Sequence, residues 1–235
     1  DYSKVNFRGN VDVSVTKNFK VSLDINTDTR KTNGPSCDVN NLRYEDLYKA
    51  LMFRPAMVPP YINGEPVGNW VEWHPGAVLD GDAGYNTRKW TGLNTMVTIN
   101  YTVPFIKGLS AKTSLNRYAR NIYQKNFNLP YDMTLFNTSG GNGHIVGDQP
   151  TGPRARAAVD FLNSRYDKIE RYQFNAQLNY KRNFGLHGVD ALVVYEQAEQ
   201  DDIDFNAQRN DFISPAIDQY IGGSTVGAMV CTSSG

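Results

Sequence analysis

Residues 172–185 read YQFNAQLNYKRNFG, and this stretch decides the fold. Its apolar side chains fall on every second residue from Tyr172 to Tyr180, and the residues between them are polar. Because successive side chains of a β-strand point to opposite faces, this alternation predicts a strand with one apolar and one polar face. The same period returns from Val189 to Tyr195, after a short turn. The stretch therefore predicts an antiparallel β-hairpin.

Two earlier parts of the chain repeat the pattern, so the sequence predicts an all-β protein of three antiparallel hairpins. Arg117 interrupts the apolar positions of the fourth strand, and we expect it near the rim of an apolar zone, where a charge costs least. The short turns are predicted at residues 16–18, 104–108 and 183–187. The six strands are predicted at about residues 4–15, 19–29, 91–103, 109–124, 167–182 and 188–200.

Long segments separate the hairpins, at about residues 28–89 and 125–165, and another follows at 201–235. We expect no strands in them, but short helices at Leu42–Phe53 and near 155–162. Short turns at one end and long loops at the other are typical of bacterial outer-membrane barrels. The pattern thus favours six strands of an incomplete transmembrane β-barrel with long extracellular loops. An aromatic-rich soluble β-sandwich stays open as the alternative.

Composition excludes some classes of function. The 235 residues carry 24 basic and 24 acidic side chains, so the formal net charge is zero and no nucleic-acid partner is predicted. The longest apolar run, Ala191 to Tyr195, is far shorter than the roughly 20 residues of a transmembrane helix. Alternating strands keep mean hydropathy low, here −0.51, so a barrel remains compatible with the composition.

No motif predicts catalysis, a cofactor or a metal site, and the chain is not expected to be an enzyme. The three histidines are isolated from carboxylates and cysteines at metal-ligand spacing. Residues 80–84 resemble the start of a calcium loop, but the positions that need Gly and Glu are Tyr85 and Thr91, so a simple turn is expected. Cys37 and Cys231 are interpreted as loop thiols.

Aromatic side chains concentrate in or next to the first long loop. Exposed aromatic rings stack on sugar rings or anchor a protein partner. The alternative is that they form the small core of the loop itself. These candidate substrate- or partner-binding residues are Tyr61, Trp70, Trp73, Tyr85 and Trp90.

The polar face of the fifth strand is rich in amides. Amide side chains on every second residue suit the hydrated lumen of a barrel better than a packed core. The residues predicted to face the lumen are Gln173, Asn175, Gln177 and Asn179.

Three stretches carry a family resemblance. They are VNFRGNVDV at residues 5–13 with TKNFKV at 16–21, the hairpin that begins at residue 172, and Arg117–Tyr118 running on to FNLPY at 127–131. Together they resemble the SusC/RagA-type TonB-dependent transporters, outer-membrane nutrient importers of Bacteroidetes. The resemblance covers about residues 5–224.

The resemblance implies that residues 1–235 are part of a larger barrel of about 22 strands. The family's plug domain and TonB-contacting segment have no counterpart in this sequence. It further implies uptake of an oligosaccharide or peptide, a SusD-like lipoprotein as lid, the TonB complex acting through the plug, and outer-membrane lipid around the barrel. A soluble carbohydrate-binding β-sandwich and an outer-membrane barrel enzyme are the alternatives.

Overall fold

One antiparallel sheet dominates the computed structural model, which describes residues 1–36, 44–71, 74–155, 160–224 and 230–234. Two small two-stranded sheets, two α-helices and a 3-10 helix at Tyr220–Gly222 complete the regular structure of these residues. In chain order the elements are β1 (Tyr2–Thr16), β2 (Phe19–Pro35), α1 (Tyr44–Phe53), β3 (Tyr61–Ile62), β4 (Glu65–Pro66), α2 (Pro75–Asp80), β5 (Gly84–Thr102), β6 (Leu109–Asn128), β7 (Asp132–Ser139), β8 (Ile145–Ala155), β9 (Phe161–Phe184), β10 (His187–Asn210) and β11 (Val230–Ser234).

The main sheet runs in the order β1-β2-β5-β6-β9-β10-β11, and β3-β4 and β7-β8 form the small sheets. All three predicted hairpins are present, so the antiparallel all-β prediction is confirmed. Within the described residues β1 pairs only with β2 and β11 only with β10. The sheet is therefore open and does not close into a barrel.

The long strands extend well beyond their predicted ends on the side away from the short turns. β2 continues to Pro35, β5 begins at Gly84, β9 begins at Phe161 and β10 ends at Asn210. In β10 the hydrophobic alternation continues through Ile203, Phe205 and Ala207, but in β2 the extension carries polar residues on both faces, as in Thr29 to Thr32, and the alternation stops. The backbone hydrogen-bond ladder continues regardless, since it does not depend on side-chain polarity.

Other predictions for the long segments need correction. Residues 201–235 were expected to lack strands, but β10 crosses into them and β11 pairs with Asp204–Gln208. The helix predicted near 155–162 is wrong for the described residues of that range, because Ala155 ends β8 and Phe161 begins β9. Residues 156–159 lie outside the described residues.

The second long loop contains an unpredicted hairpin, β7-β8. Glycines and prolines in β8 interrupt the alternation of apolar and polar residues that would predict a strand. The predicted helix Leu42–Phe53 is confirmed as α1, and residues 42–43 lie outside the described residues. The turn expected at 80–84 is the end of α2, where Gly81 adopts a left-handed conformation with φ of 98°.

Register merges the apolar residues of six strands into one continuous surface. For example, Leu23 pairs with Val97, Val97 with Leu115, and Leu115 with Phe174. Paired residues of neighbouring strands point to the same face. This surface, the apolar band, comprises Phe7, Val11, Val13, Val21, Leu23, Ile25, Leu93, Val97, Ile99, Tyr101, Leu109, Ala111, Leu115, Tyr172, Phe174, Ala176, Leu178, Tyr180, Val189, Ala191, Val193 and Tyr195.

The apolar band is exposed. Leu115 is 49% exposed and Val193 is 66% exposed, and no second layer of described residues covers them. On β5 the band runs from Leu93 to Tyr101, which is about 27 Å at about 3.4 Å per residue. At a strand tilt of about 40° it would stand about 21 Å tall, close to the roughly 25 Å apolar belt of membrane barrels.

Buried hydrophobic packing instead concentrates at the long-loop end of the sheet. Two clusters form there, and β7 contributes to both. No helix of the described residues is both long and apolar enough to cross a membrane. The first cluster is Ala77, Val78, Ala83, Tyr131 and Met133, and the second is Val58, Val67 and Phe136.

Candidate functional site: the polar face and the long-loop end

Tyr61 belongs to the packed part of the first long loop. Its ring makes an edge contact with His74, with centroids 4.8 Å apart, and its hydroxyl lies 3.4 Å from Asp80 Oδ2. Tyr61 is nevertheless 42% exposed and belongs to neither buried hydrophobic cluster. Trp73 lies outside the described residues.

Trp70 is exposed, as are Tyr48, Phe53 and Tyr61 of the same loop. It is 50% exposed and adopts a left-handed backbone conformation, with φ of 55°. That conformation is unfavourable for a bulky residue, at about 1–2 kcal/mol. The side chain of the preceding Asn69 holds the backbone in place. Its Nδ2 donates to Phe136 O and its Oδ1 accepts from Phe136 N, both at 2.9 Å. The loop therefore presents Trp70 to solvent at a cost in backbone strain.

Tyr85 lies near the start of β5, at the long-loop end of the sheet. Its ring contacts Phe127, and its hydroxyl donates to the Asp218 carboxylate, which also accepts from Lys125 Nζ at 2.7 Å. Burial raises the pKa of Tyr85, and its hydrogen bond to Asp218 acts in the same direction. Tyr85 thus helps to hold the segment after β10 against the sheet.

Trp90 lies on the polar face, beside a cavity of about 360 Å³. The Arg30 guanidinium stacks over its indole ring, 3.6 Å from the centroid. The indole Nε1 is buried and has no hydrogen-bond partner among the described residues, which is uncommon for a buried donor. The cavity is lined by Tyr2, Arg30, Thr32, Arg88, Trp90, Arg120 and Ile122, and we refer to it as the arginine cavity.

The four amide residues of β9 lie together on the polar face, nearer the short turns. Gln173 donates to Glu196 Oε1 at 2.6 Å, and Gln177 pairs in register with Lys112 of β6. Asn175 and Asn179 pair with Ser114 and Ser110. The polar face thus continues from β9 onto β6, whereas on β10 Gln177 and Asn179 pair with Val194 and Leu192.

The structure does not bring the described aromatic candidates into one site. Tyr61 and Trp70 lie in the first loop, Tyr85 points to the face of the apolar band, and Trp90 points to the polar face. Sequence reasoning missed Arg30, Arg88 and Arg120. The sequence did contain a signal for Arg30, because the polar side chains at even-numbered positions of β2 continue beyond Thr27 as far as Arg30.

No group of three or more His, Cys, Asp or Glu among the residues that the structure describes is placed to hold a metal ion. No protein-family model matches the chain, and no curated protein matches it.

Proposed function

We propose that this chain forms part of an outer-membrane β-barrel that imports a nutrient, an oligosaccharide or a peptide. The single observation that carries the proposal is the apolar band. It is continuous over six strands, exposed, and of nearly the height of a bilayer's apolar layer. A bare apolar surface of that extent is not tolerated by soluble monomers, whereas lipid covers it without cost.

The borders of the band support a membrane position. Phe19 and Tyr101 make an edge contact beside one short turn, with centroids 6.2 Å apart, where an aromatic girdle would lie. At the opposite border Arg117 pairs with Glu170 at 3.2 Å, and Lys168 lies 3.3 Å from the same carboxylate. Arg117 and Glu170 lie in the two outermost rows of the band, in register with Thr95 and Ala119, and in a membrane these charges would mark where lipid gives way to water.

The polar face then becomes the wall of a hydrated lumen, with Gln173, Asn175, Gln177 and Asn179 as lumen-facing residues. The open edges of β1 and β11 would pair with further strands of the barrel. By the family resemblance, a SusD-like lipoprotein would meet the long-loop end, where Trp70 is exposed, and the TonB complex would act through a plug. Binding and gated passage require no covalent step.

A soluble carbohydrate-binding β-sandwich explains less. It would need a second sheet over the apolar band, and the described residues offer only the small β3-β4 and β7-β8 sheets. No observation favours the outer-membrane barrel enzyme.

Cysteine labelling in lipid vesicles tests the proposal. In a background with Cys37 and Cys231 changed to Ser, single cysteines replace Phe174, Ala176 and Leu178, or their neighbours Gln173, Asn175 and Gln177. A water-soluble maleimide should label the second set at least tenfold faster, because the first set faces lipid. Ala176→Cys and Asn175→Cys form the best matched pair, since neither replaces a large side chain. Equal labelling of the two sets would refute the membrane position.

A further inference from the structure

The arginine cavity lies on the polar face, on the long-loop side of the amide residues. Four neighbouring strands build it: Tyr2 of β1 pairs with Thr32 of β2, and Trp90 of β5 pairs with Arg30 of β2 on one side and Ile122 of β6 on the other. Arg88 pairs with Thr32, and Arg120 pairs with Gly92. Side chains from four strands thus converge on one point of the proposed lumen wall.

The cavity carries a surplus of positive charge. Arg30 is paired with Asp28, at 3.1 Å, but Arg88 and Arg120 have no ion pair among the described residues. Asp167, which pairs in register with Ile122, is already bound by Arg165 at 2.8 Å. Two guanidinium groups are therefore available for an anionic ligand.

The cavity also offers aromatic surface. The indole of Trp90 and the ring of Tyr2 line it, together with the hydroxyl of Thr32. Its volume of about 360 Å³ is at the lower end for small-molecule sites. Guanidinium groups bind carboxylates through two parallel hydrogen bonds, and aromatic side chains provide apolar area with a polar edge.

We propose that the arginine cavity binds a carboxylate-bearing sugar residue, so that the imported nutrient is an acidic oligosaccharide. This proposal rests on the proposed import function and names its substrate class. The carboxylate would lie between Arg88 and Arg120, and the sugar ring would pack on the aromatic surface. An acidic peptide shares the carboxylate but lacks the sugar ring, and the test separates the two ligand classes.

Binding to the purified protein in detergent micelles tests the proposal, with calorimetry as the readout. The probes are trigalacturonic acid, its methyl ester with the same rings but no charge, and hexaglutamate. Trigalacturonic acid should bind at least tenfold tighter than either of the others. Arg88→Gln and Arg120→Gln should each weaken its binding about tenfold to a hundredfold, since each loses a charged hydrogen-bond donor.

Arg8→Gln is the matched control. Arg8 is an exposed arginine of β1 on the same polar face, outside the cavity, and its loss should leave the affinity within twofold. Circular dichroism checks that each variant folds, and if one does not, the comparison of acid with ester on the unchanged protein decides.

Several outcomes would overturn the proposal. They are equal affinity for acid and ester, tighter binding of hexaglutamate, or Arg88 and Arg120 variants that bind like Arg8→Gln. Cysteine labelling reports separately on the membrane position. If labelling shows the expected contrast while trigalacturonic acid fails to bind, the substrate class is wrong and the membrane position stands.

Discussion

His74 shows how one side chain sets the conformation of the first long loop. Its Nδ1 accepts from Ala77 N at 3.1 Å and caps α2, and its Nε2 lies 2.7 Å from Pro60 O. Because a carbonyl oxygen can only accept, the proton lies on Nε2 and the ring is neutral. Burial lowers the pKa of His74, and Arg54 lowers it further. Protonation of Nδ1 would remove the cap.

The His74 cap is therefore expected to weaken in acid. The folded pKa is lowered, so the unfolded loop takes up a proton first as pH falls below about 6.5. The contribution is complete above that pH and is lost as pH falls from there towards the folded pKa. Hydrogen exchange of the Ala77 amide at pH 5 and 7.5, corrected for intrinsic exchange, should show weaker protection at pH 5.

His74→Asn provides the control for this prediction, since Asn is a good N-cap that does not titrate in this range. In that variant the corrected protection of Ala77 should be the same at both pH values. A pH effect of equal size in both proteins would assign the dependence to another group.

At the scale of elements, the segment between β10 and β11 docks on the sheet through polar contacts. Arg209 donates to Tyr220 O at 2.7 Å and Ser224 O at 3.0 Å, and Asp218 binds Lys125 and Tyr85. These contacts lie beyond the apolar band, at the long-loop end of the sheet.

Asp218→Asn should loosen this segment without unfolding the sheet. The change removes the ion pair with Lys125, which is partly exposed, and weakens docking by about 1–2 kcal/mol. Limited proteolysis should then cleave residues 211–224 about fivefold to thirtyfold faster. Asp211→Asn is the control, because it removes the same charge from the same segment and Asn also tolerates the left-handed φ of 55°. Equal acceleration in both variants would contradict the docking role of Asp218.

At the scale of the whole molecule, the long loops and the short turns lie at opposite ends of the strands. By analogy with known barrels, the long loops should face the outside of the cell. Gly141, an exposed residue of the β7-β8 turn with open space around it, suits an inserted epitope. An antibody should detect this epitope on intact cells. The same epitope after Phe105, in a short turn, should be detected only after permeabilisation, and the reverse result would invert the topology.

The open sheet predicts how residues 1–235 behave when expressed alone. Among the described residues, β1 leaves backbone N–H and C=O groups unpaired along its outer edge, and the apolar band adds a large exposed hydrophobic surface. The protein should aggregate in buffer and become dispersed only in detergent, as judged by size-exclusion chromatography. A monodisperse monomer without detergent, with cooperative unfolding in urea, would make the soluble sandwich the better interpretation.

The sequence by itself determined the class of the fold and the three hairpins. Period-2 alternation, as in Tyr172 to Tyr180, depends only on which face of a strand each residue occupies, so it is visible without tertiary contacts. It also determined the short turns and α1, whose signals are local. Where both faces of a strand carry polar residues, as in Asp28 to Asn33, the alternation disappears, and the end of β2 is predicted too early.

The candidate site depends on tertiary contacts. Arg30 and Arg120 are distant in the chain from Arg88 and Trp90 of β5, and they meet them because the pairing of β2 and β6 with β5 aligns them on one face. Within β5, strand alternation alone puts Arg88 on the same face as Trp90 and puts Tyr85, five residues from Trp90, on the opposite face. A short turn fixes the register of β5 with β6, whereas the first long loop separates β2 from β5, so no local pattern brings Arg30 to Trp90.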